Sequence, residues 1–274
     1  MKGAWYDSGV DTAVIIFGRM PLITFSIMIG VGVGVGLLWS VWPAASHPDM
    51  ARLRLDAGSL SLAGALVGGR SGIILLNWHY FQENIGEIPQ VWLGGFTWSG
   101  ALIGALIGAA AAAQIYRSPV GEVADGLLPL FTSVTVSAWL ASWMTGHAYG
   151  AAVDSWWGVP ALDEWGEITL RWPTQLAGAF SVLGVHWSVE QLRARRKIST
   201  PGLGTSLELA GLGITLLALF PFRADPGMRW NALRMDQWFS FGVLFLSILF
   251  MALFYYGRAV KLRTETRQPD KYEN

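Results

Sequence analysis

The chain has no cysteine. Disulfides, thiolate metal sites, iron–sulfur clusters, thioether-attached haem and a lipidated cysteine are therefore excluded, and the protein is not itself a lipoprotein. Charge is scarce as well: 19 Lys and Arg offset 19 Asp and Glu across 274 residues. A nucleic-acid partner needs a basic face that this balance does not provide. Met1–Thr12 is polar and mixed in charge, without the basic region and short apolar core of a cleavable signal peptide. Linkers, low-complexity tracts and internal repeats are also lacking, so residues 1–274 read as one domain. No metal-ligand spacing, phosphate loop or serine–histidine–acid order is present, and no metal or cofactor is expected.

What the chain does have is apolar surface. Hydrophobic residues make up 53% of it and there are 15 tryptophans, a composition that fits a polytopic membrane protein and not a soluble domain. The expected fold is an all-α membrane bundle. Seven segments approach the ~20 apolar residues that a bilayer core requires, near Leu22–Trp42, Ala57–Trp78, Trp92–Ile115, Asp125–Trp143, Gln175–Leu192, Leu203–Phe220 and Gln237–Tyr256. Trp92–Trp98 is the ambiguous entry, interfacial or re-entrant. Arg52, Arg54, Arg117, the Arg193–Lys197 run and a tail over 257–274 with Arg258, Lys261, Arg263, Arg267 and Lys271 share one side. The positive-inside rule makes that side cytoplasmic and the N-terminus outside. Glu83, Glu87, Asp154, Asp163, Glu164 and Glu167 fall on the other side. There the 150–172 loop, too long for a tight turn, is expected to cap the bundle with Trp156, Trp157, Trp165 and Trp172 at headgroup level.

The most informative stretch is Val67–Gly108, where two glycine-rich apolar segments are joined through an acidic loop and a Trp-x-Gly-Gly turn. Glycines at four-residue spacing, such as Gly100, Gly104 and Gly108, are common packing devices in lipid and alone reveal no function. Arg70 is different. An arginine inside an apolar span is costly unless it snorkels, pairs or meets a ligand anion, so Arg70 is the leading candidate to hold a lipid phosphate or a buried acceptor. Glu208 is a second intramembrane charge, near enough to the basic loop to reach water. His79 and His186 read as interface residues at the ends of apolar segments. Thr132, Ser133, Thr135 and Ser137 read as hydroxyls bonded back to their own helix.

These residues resemble a known family. The collinear set GGR-x-G (Gly68, Gly69, Arg70, Gly72), W-x-GG with x-G-x-L-I-G (Trp92, Gly94, Gly95, Gly100, Leu102, Ile103, Gly104), G-x-x-YG (Gly146, Tyr149, Gly150), WGV (Trp157–Val159), PTQL (Pro173–Leu176), FR-x-DP (Phe222, Arg223, Asp225, Pro226) and a late Gln237 is similar to prolipoprotein diacylglyceryl transferase. The resemblance implies a seven-span, N-outside, multi-pass protein of the bacterial inner (cytoplasmic) membrane. It implies as substrate phosphatidylglycerol, whose diacylglyceryl group passes to the thiol of a lipobox cysteine. It also implies lipid-headgroup contacts from Arg70, Arg223, Gly94, Gly95, Tyr149, Gln175 and Gln237.

The departures concern chemistry. Family histidine and arginine positions fall at Ser99 and Trp139, the asparagine and glutamate that follow at Ser142 and His147, and the HP-x-QLYE segment reads with Trp172, Ala177 and Gly178. An arginine and a glutamate upstream of FR-x-DP fall at Leu216 and Phe220. Displacing a glycerol phosphate with a thiol needs a cation for the departing phosphate and an acceptor for the proton. His147, with Ser99, is the remaining catalytic candidate. Two readings follow: a catalytically degenerate, lipid-binding or structural subunit of a larger membrane protein complex, or, alternatively, an active transferase rewired around Arg70, Arg223 and His147. Partners are a phosphatidylglycerol-like phospholipid, the membrane and that complex.

Overall fold

The computed structural model describes residues 21–196 and 200–266. Among them nine α-helices form: α1 (Pro21–Val41), α2 (Pro48–Leu76), α3 (Trp78–Glu83), α4 (Trp98–Ile115), α5 (Val120–Gly126), α6 (Leu128–Thr145), α7 (Thr174–Arg196), α8 (Leu203–Leu219) and α9 (Met235–Thr266). Glycine-rich runs such as that of α1 would be weak helices in water. In lipid the backbone has no other partner, and the helix is the solution that satisfies it. Met1–Thr12, Lys197, Arg267 and Lys271, on which part of the orientation argument rests, lie outside the described residues.

All seven expected segments contain α-helix, the third only from Trp98 onward. Among the described residues, five helices are long and apolar enough to cross a membrane, over Leu22–Ala44, Pro48–Leu76, Trp98–Ile115, Leu203–Phe222 and Met235–Leu253. α5 and α6 make a sixth candidate, bent by 49° at Leu127. α7 has the length, at 23 residues, but carries His186, Glu190, Arg193, Arg195 and Arg196 and is correspondingly more polar. α9 continues as helix ten residues beyond the expected end of its span at Tyr256.

The glycines decide how α2 and α4 meet, the most extensive helix pair in the molecule. A Cβ on Gly64 or Gly68 would land on the Gly104 or Gly100 carbonyl, and the reverse also holds. Backbone therefore packs on backbone, as small-residue seams in lipid allow. α1 lies along α6, and α7 and α9 flank α8. One apolar cluster joins Ala57, Ala109, Ala112, Ala113, Val123, Leu127 and Leu130; a second joins Trp139, Ala179, Val182, Leu212, Leu216 and Phe220.

The ambiguous entry before α4 is not helical. A 3-10 turn over Val91–Leu93 runs into Gly94 and Gly95 at φ 79° and 77°, conformations that disfavour any side chain, and α4 starts only at Trp98. The Thr97 hydroxyl caps α4 by accepting from the Gly100 amide at 3.2 Å. The cap loop adds structure that the all-α expectation lacked: strands β1 (Val159–Leu162) and β2 (Ile168–Arg171) pair antiparallel, and a smaller hairpin, β3 (Arg229–Trp230) with β4 (Leu233–Arg234), precedes α9. Trp172 stacks between Trp157 and Phe222, with ring centroids 4.9 and 4.5 Å away. Trp156 and Trp165 are exposed at the loop surface.

Candidate functional site

A cavity of about 540 Å3 lies between α2, α4, α6 and α8, within the size range of small-molecule sites. Its walls are apolar for most of their length, with Leu102, Leu106, Leu127, Leu130 and Leu212 among them. Polar groups gather at the two ends of α8: Thr205 and Glu208 near its start, and Arg223 and Asp225 beyond its end, with Asp236, Ser142 and His147 also in the wall.

Four charges organise the second end. Arg223 donates from Nε and Nη2 to the two Asp225 carboxylate oxygens at 2.8 and 2.6 Å, a bidentate pair. Arg234 donates to the Asp225 carbonyl at 2.6 Å and carboxylate at 3.2 Å, and its Nη2 is 3.6 Å from Asp236. Asp236, in the first turn of α9, also accepts from the Trp98 indole at 3.1 Å. Burial pushes the Asp225 carboxyl up, but the hydrogen bonds and charges of Arg223 and Arg234 outweigh it and hold the group below its ordinary value. Gln237 belongs to this cluster by accepting from the Arg234 amide at 2.9 Å. Arg234 and Asp236 had no motif to mark them. Only the charge density of the short segment before α9 hinted at a role.

Backbone pairing carries the FR-x-DP turn to the cap. Ala151 donates to the Phe222 carbonyl and Ala224 to that of Tyr149, at 3.0 and 2.9 Å. Tyr149 lies buried beneath Arg171, whose guanidinium sits 4.6 Å from the ring and pairs with Asp163 at 2.9 Å. Burial, with Glu164 adding and Arg171 opposing, pushes the Tyr149 hydroxyl up. Gln175, fully buried, donates to the His147 carbonyl at 3.0 Å. Both residues brace the wall from behind. His147 itself is exposed, with Nδ1 3.0 Å from the Thr145 hydroxyl.

Arg70 makes a separate clamp. Its guanidinium donates to the carbonyls of Glu87 at 2.5 Å, Ile88 at 3.1 Å and Gly94 at 2.6 Å, with Gly95 at 3.4 Å, and it lies 5.3 Å from the Phe81 ring. The acceptors are main-chain carbonyls of the 85–95 loop, and Arg70 holds that loop to α2. Gly94 and Gly95 act through this clamp. Ser99 is buried one residue into α4. Arg70, Gly94, Gly95, Ser99, Tyr149 and Gln175 thus stand outside the cavity wall, and Arg223 and His147 stand in it.

Glu208 does not reach water. It is fully buried, with both carboxylate oxygens 3.1–3.2 Å from His186 Nδ1, and it accepts from the Thr132 hydroxyl. His186 is correspondingly buried in the bundle, where the sequence suggested an interface residue, and Trp39 packs on its ring edge. Thr132 serves Glu208 across the bundle where back-bonding was expected. A membrane interior gives these groups only one another as partners. At the first end, Asp125 accepts from the Gly202 and Thr205 amides at 3.0 and 2.8 Å and so caps α8 from α5.

Some of the positions where the sequence resemblance expects a change of chemistry meet in space. Trp139, Leu216 and Phe220 belong to one apolar cluster. A Cβ on Gly178 would run into the Trp139 indole, so the glycine is the space that the tryptophan occupies.

Residues 12–253 match the family described as prolipoprotein diacylglyceryl transferase. Among curated proteins the chain is 27% identical over 146 residues to the phosphatidylglycerol–prolipoprotein diacylglyceryl transferase of Geobacillus kaustophilus, covering 53% of this chain and 54% of that one. Similarity to the proteins of the same name from Listeria monocytogenes is 24% over 143 residues, or 52% and 51% of the two chains. For Nocardia farcinica it is 28% over 156 residues, or 55% and 32%. The chain spans about half the length, or less, of these curated relatives.

Proposed function

Because the chain belongs to the prolipoprotein diacylglyceryl transferase family, we propose that it is a lipid-holding member without transfer chemistry. On this reading it is a multi-pass protein of the bacterial cytoplasmic membrane and works as a lipid-binding or structural subunit of a larger assembly. The observation that carries the reading is the apolar cluster of Trp139, Leu216 and Phe220, with Gly178 beneath the indole. In the resemblance drawn from the sequence, each of these positions falls where the family pattern has an arginine or a glutamate.

Losing one preorganised electrostatic donor commonly costs about a hundredfold or more in rate, and side chains such as Trp, Leu and Phe carry no charge to meet a departing phosphate. Arg223, a cationic group in the cavity wall, is already held in a bidentate pair by Asp225. His147 faces no charged partner among the described residues and has only the Thr145 hydroxyl beside its ring. What remains suits the acyl chains of a phosphatidylglycerol-like lipid: an apolar cavity with charged groups at its ends.

The test is transfer of labelled diacylglycerol from phosphatidylglycerol to a lipobox peptide, with and without rescue of cells depleted of their own transferase. No transfer and no rescue is the expected outcome. Efficient rescue by the wild-type chain would replace this reading with that of an active enzyme rewired around Arg223 and His147. Purification from native membrane without harsh detergent tests the subunit role, which predicts a stoichiometric complex and fails if the chain is recovered alone.

A further inference from the structure

A second cavity, of about 320 Å3, adjoins the first at Arg223 and Asp225 and is enclosed by the FR-x-DP turn and the β3–β4 hairpin. Arg223, Arg229 and Arg234 line it against one carboxylate, Asp225, with Gln237 completing the polar wall. Asp236 lies behind, 3.9 Å from Arg223 and 3.6 Å from Arg234.

Two features of this pocket have no purpose within the chain. In the β3–β4 register Arg229 stands directly opposite Arg234, and like charges facing each other across an antiparallel pair destabilise it. The register has no slack, because the turn is only Asn231 and Ala232, with Asn231 at φ 55°. Asp225 and Asp236 answer Arg223 and Arg234, whereas Arg229 makes no ion pair among the described residues. The second feature is Arg234 Nε. Arg234 is only 8% exposed, and this donor is buried with no hydrogen-bond partner. A charged donor left unmade in this way is costly; an oxyanion entering the pocket would offset the facing charges directly and, after a small rotation of the Arg234 guanidinium, would give this donor an acceptor.

We propose that this pocket binds a phosphate group, held by Arg229 and Arg234. A tetrahedral oxyanion offers several acceptor oxygens to guanidinium forks at once, which a chloride or a carbonyl does not. The phosphate has two chemical sources: the headgroup of an anionic phospholipid whose chains lie in the adjoining apolar cavity, or free phosphate. The first source rests on the lipid-holding reading above; the second does not.

The experiment compares wild-type protein with Arg229→Gln and Arg229→Lys, two changes at one exposed residue, and with Arg234→Gln. The full chain is purified in detergent and titrated with phosphatidylglycerol, diacylglycerol and inorganic phosphate by native mass spectrometry and thermal shift. Arg229→Gln is expected to weaken phosphate-bearing ligands by about tenfold, the worth of one charged hydrogen bond, with diacylglycerol unchanged and most of the affinity restored in Arg229→Lys. Loss confined to phosphatidylglycerol assigns the pocket to a lipid headgroup, and a matching loss for inorganic phosphate shows that the free anion enters too. Equal binding of both ligands by wild type, Arg229→Gln and Arg234→Gln would overturn the proposal. If diacylglycerol fails to bind any variant while phosphate still distinguishes them, the pocket stands and the lipid-holding reading falls.

Discussion

Trp139 and Gly178 occupy a single volume between them, and that makes them a coupled pair. Gly178→Ala alone should cost about 1–3 kcal/mol by overpacking, and Trp139→Ala about 3–5 kcal/mol by leaving a hole. In the double variant the new methyl group meets open space, so its cost should fall below the sum. Unfolding of the four proteins in detergent measures this coupling, and strict additivity would show that the two residues do not compete for the volume. Asp225 provides a second residue-scale expectation. Its folded pKa is depressed, so its stabilisation is fully present above the ordinary carboxylate range near 4 and is lost as pH falls through the folded value. Stability measured from pH 7 down to pH 3 should decline in that window. Asp225→Asn should flatten the decline while lowering neutral-pH stability by about 3–5 kcal/mol, the cost of stranding a buried charge.

At the scale of elements, Arg70 decides the conformation of a loop. Replacing it with Leu removes donors from the Glu87, Ile88 and Gly94 carbonyls, so the 85–95 segment should become a protease-sensitive site while the helices persist. Limited proteolysis with mass mapping reads this directly, and an unchanged cleavage pattern would rule out the clamp. Gly104→Leu should be worse, because the side chain would meet the Gly64 backbone with nothing able to move aside. The α2–α4 seam would have to open, and loss of the folded protein from membranes is the expected readout. Both elements were legible in the sequence for physical reasons: glycine spacing states close approach, and an arginine in an apolar run states an unmet need for a partner. Which partner it finds was not legible. Backbone carbonyls of a distant loop carry no signature in residue type, and for the same reason Glu208, His186 and Thr132, 22 and 76 positions apart from the carboxylate, showed no sign of meeting. The β-hairpins escaped notice because four-residue and two-residue strands are too short for alternation to register.

For the whole molecule, the cap and the basic loop before α8 should lie on opposite sides of the bilayer. The absence of cysteine makes this readily testable. Trp165→Cys, at an exposed tip of the cap loop, should react with an impermeant maleimide from outside, and reaction only after the inner face is opened would reverse the orientation. The helix lengths have a different consequence. α4 has 18 residues, or about 27 Å, slightly short of the ~30 Å hydrocarbon layer, and the apolar stretch of α9, Met235–Leu253, has 19, or about 29 Å, before the helix runs on into its charged end. Lipid beside these helices must thin, so the protein imposes a thinned collar on the membrane around it. In reconstituted bilayers its thermal stability should therefore peak at acyl chains slightly shorter than those of a ~30 Å layer.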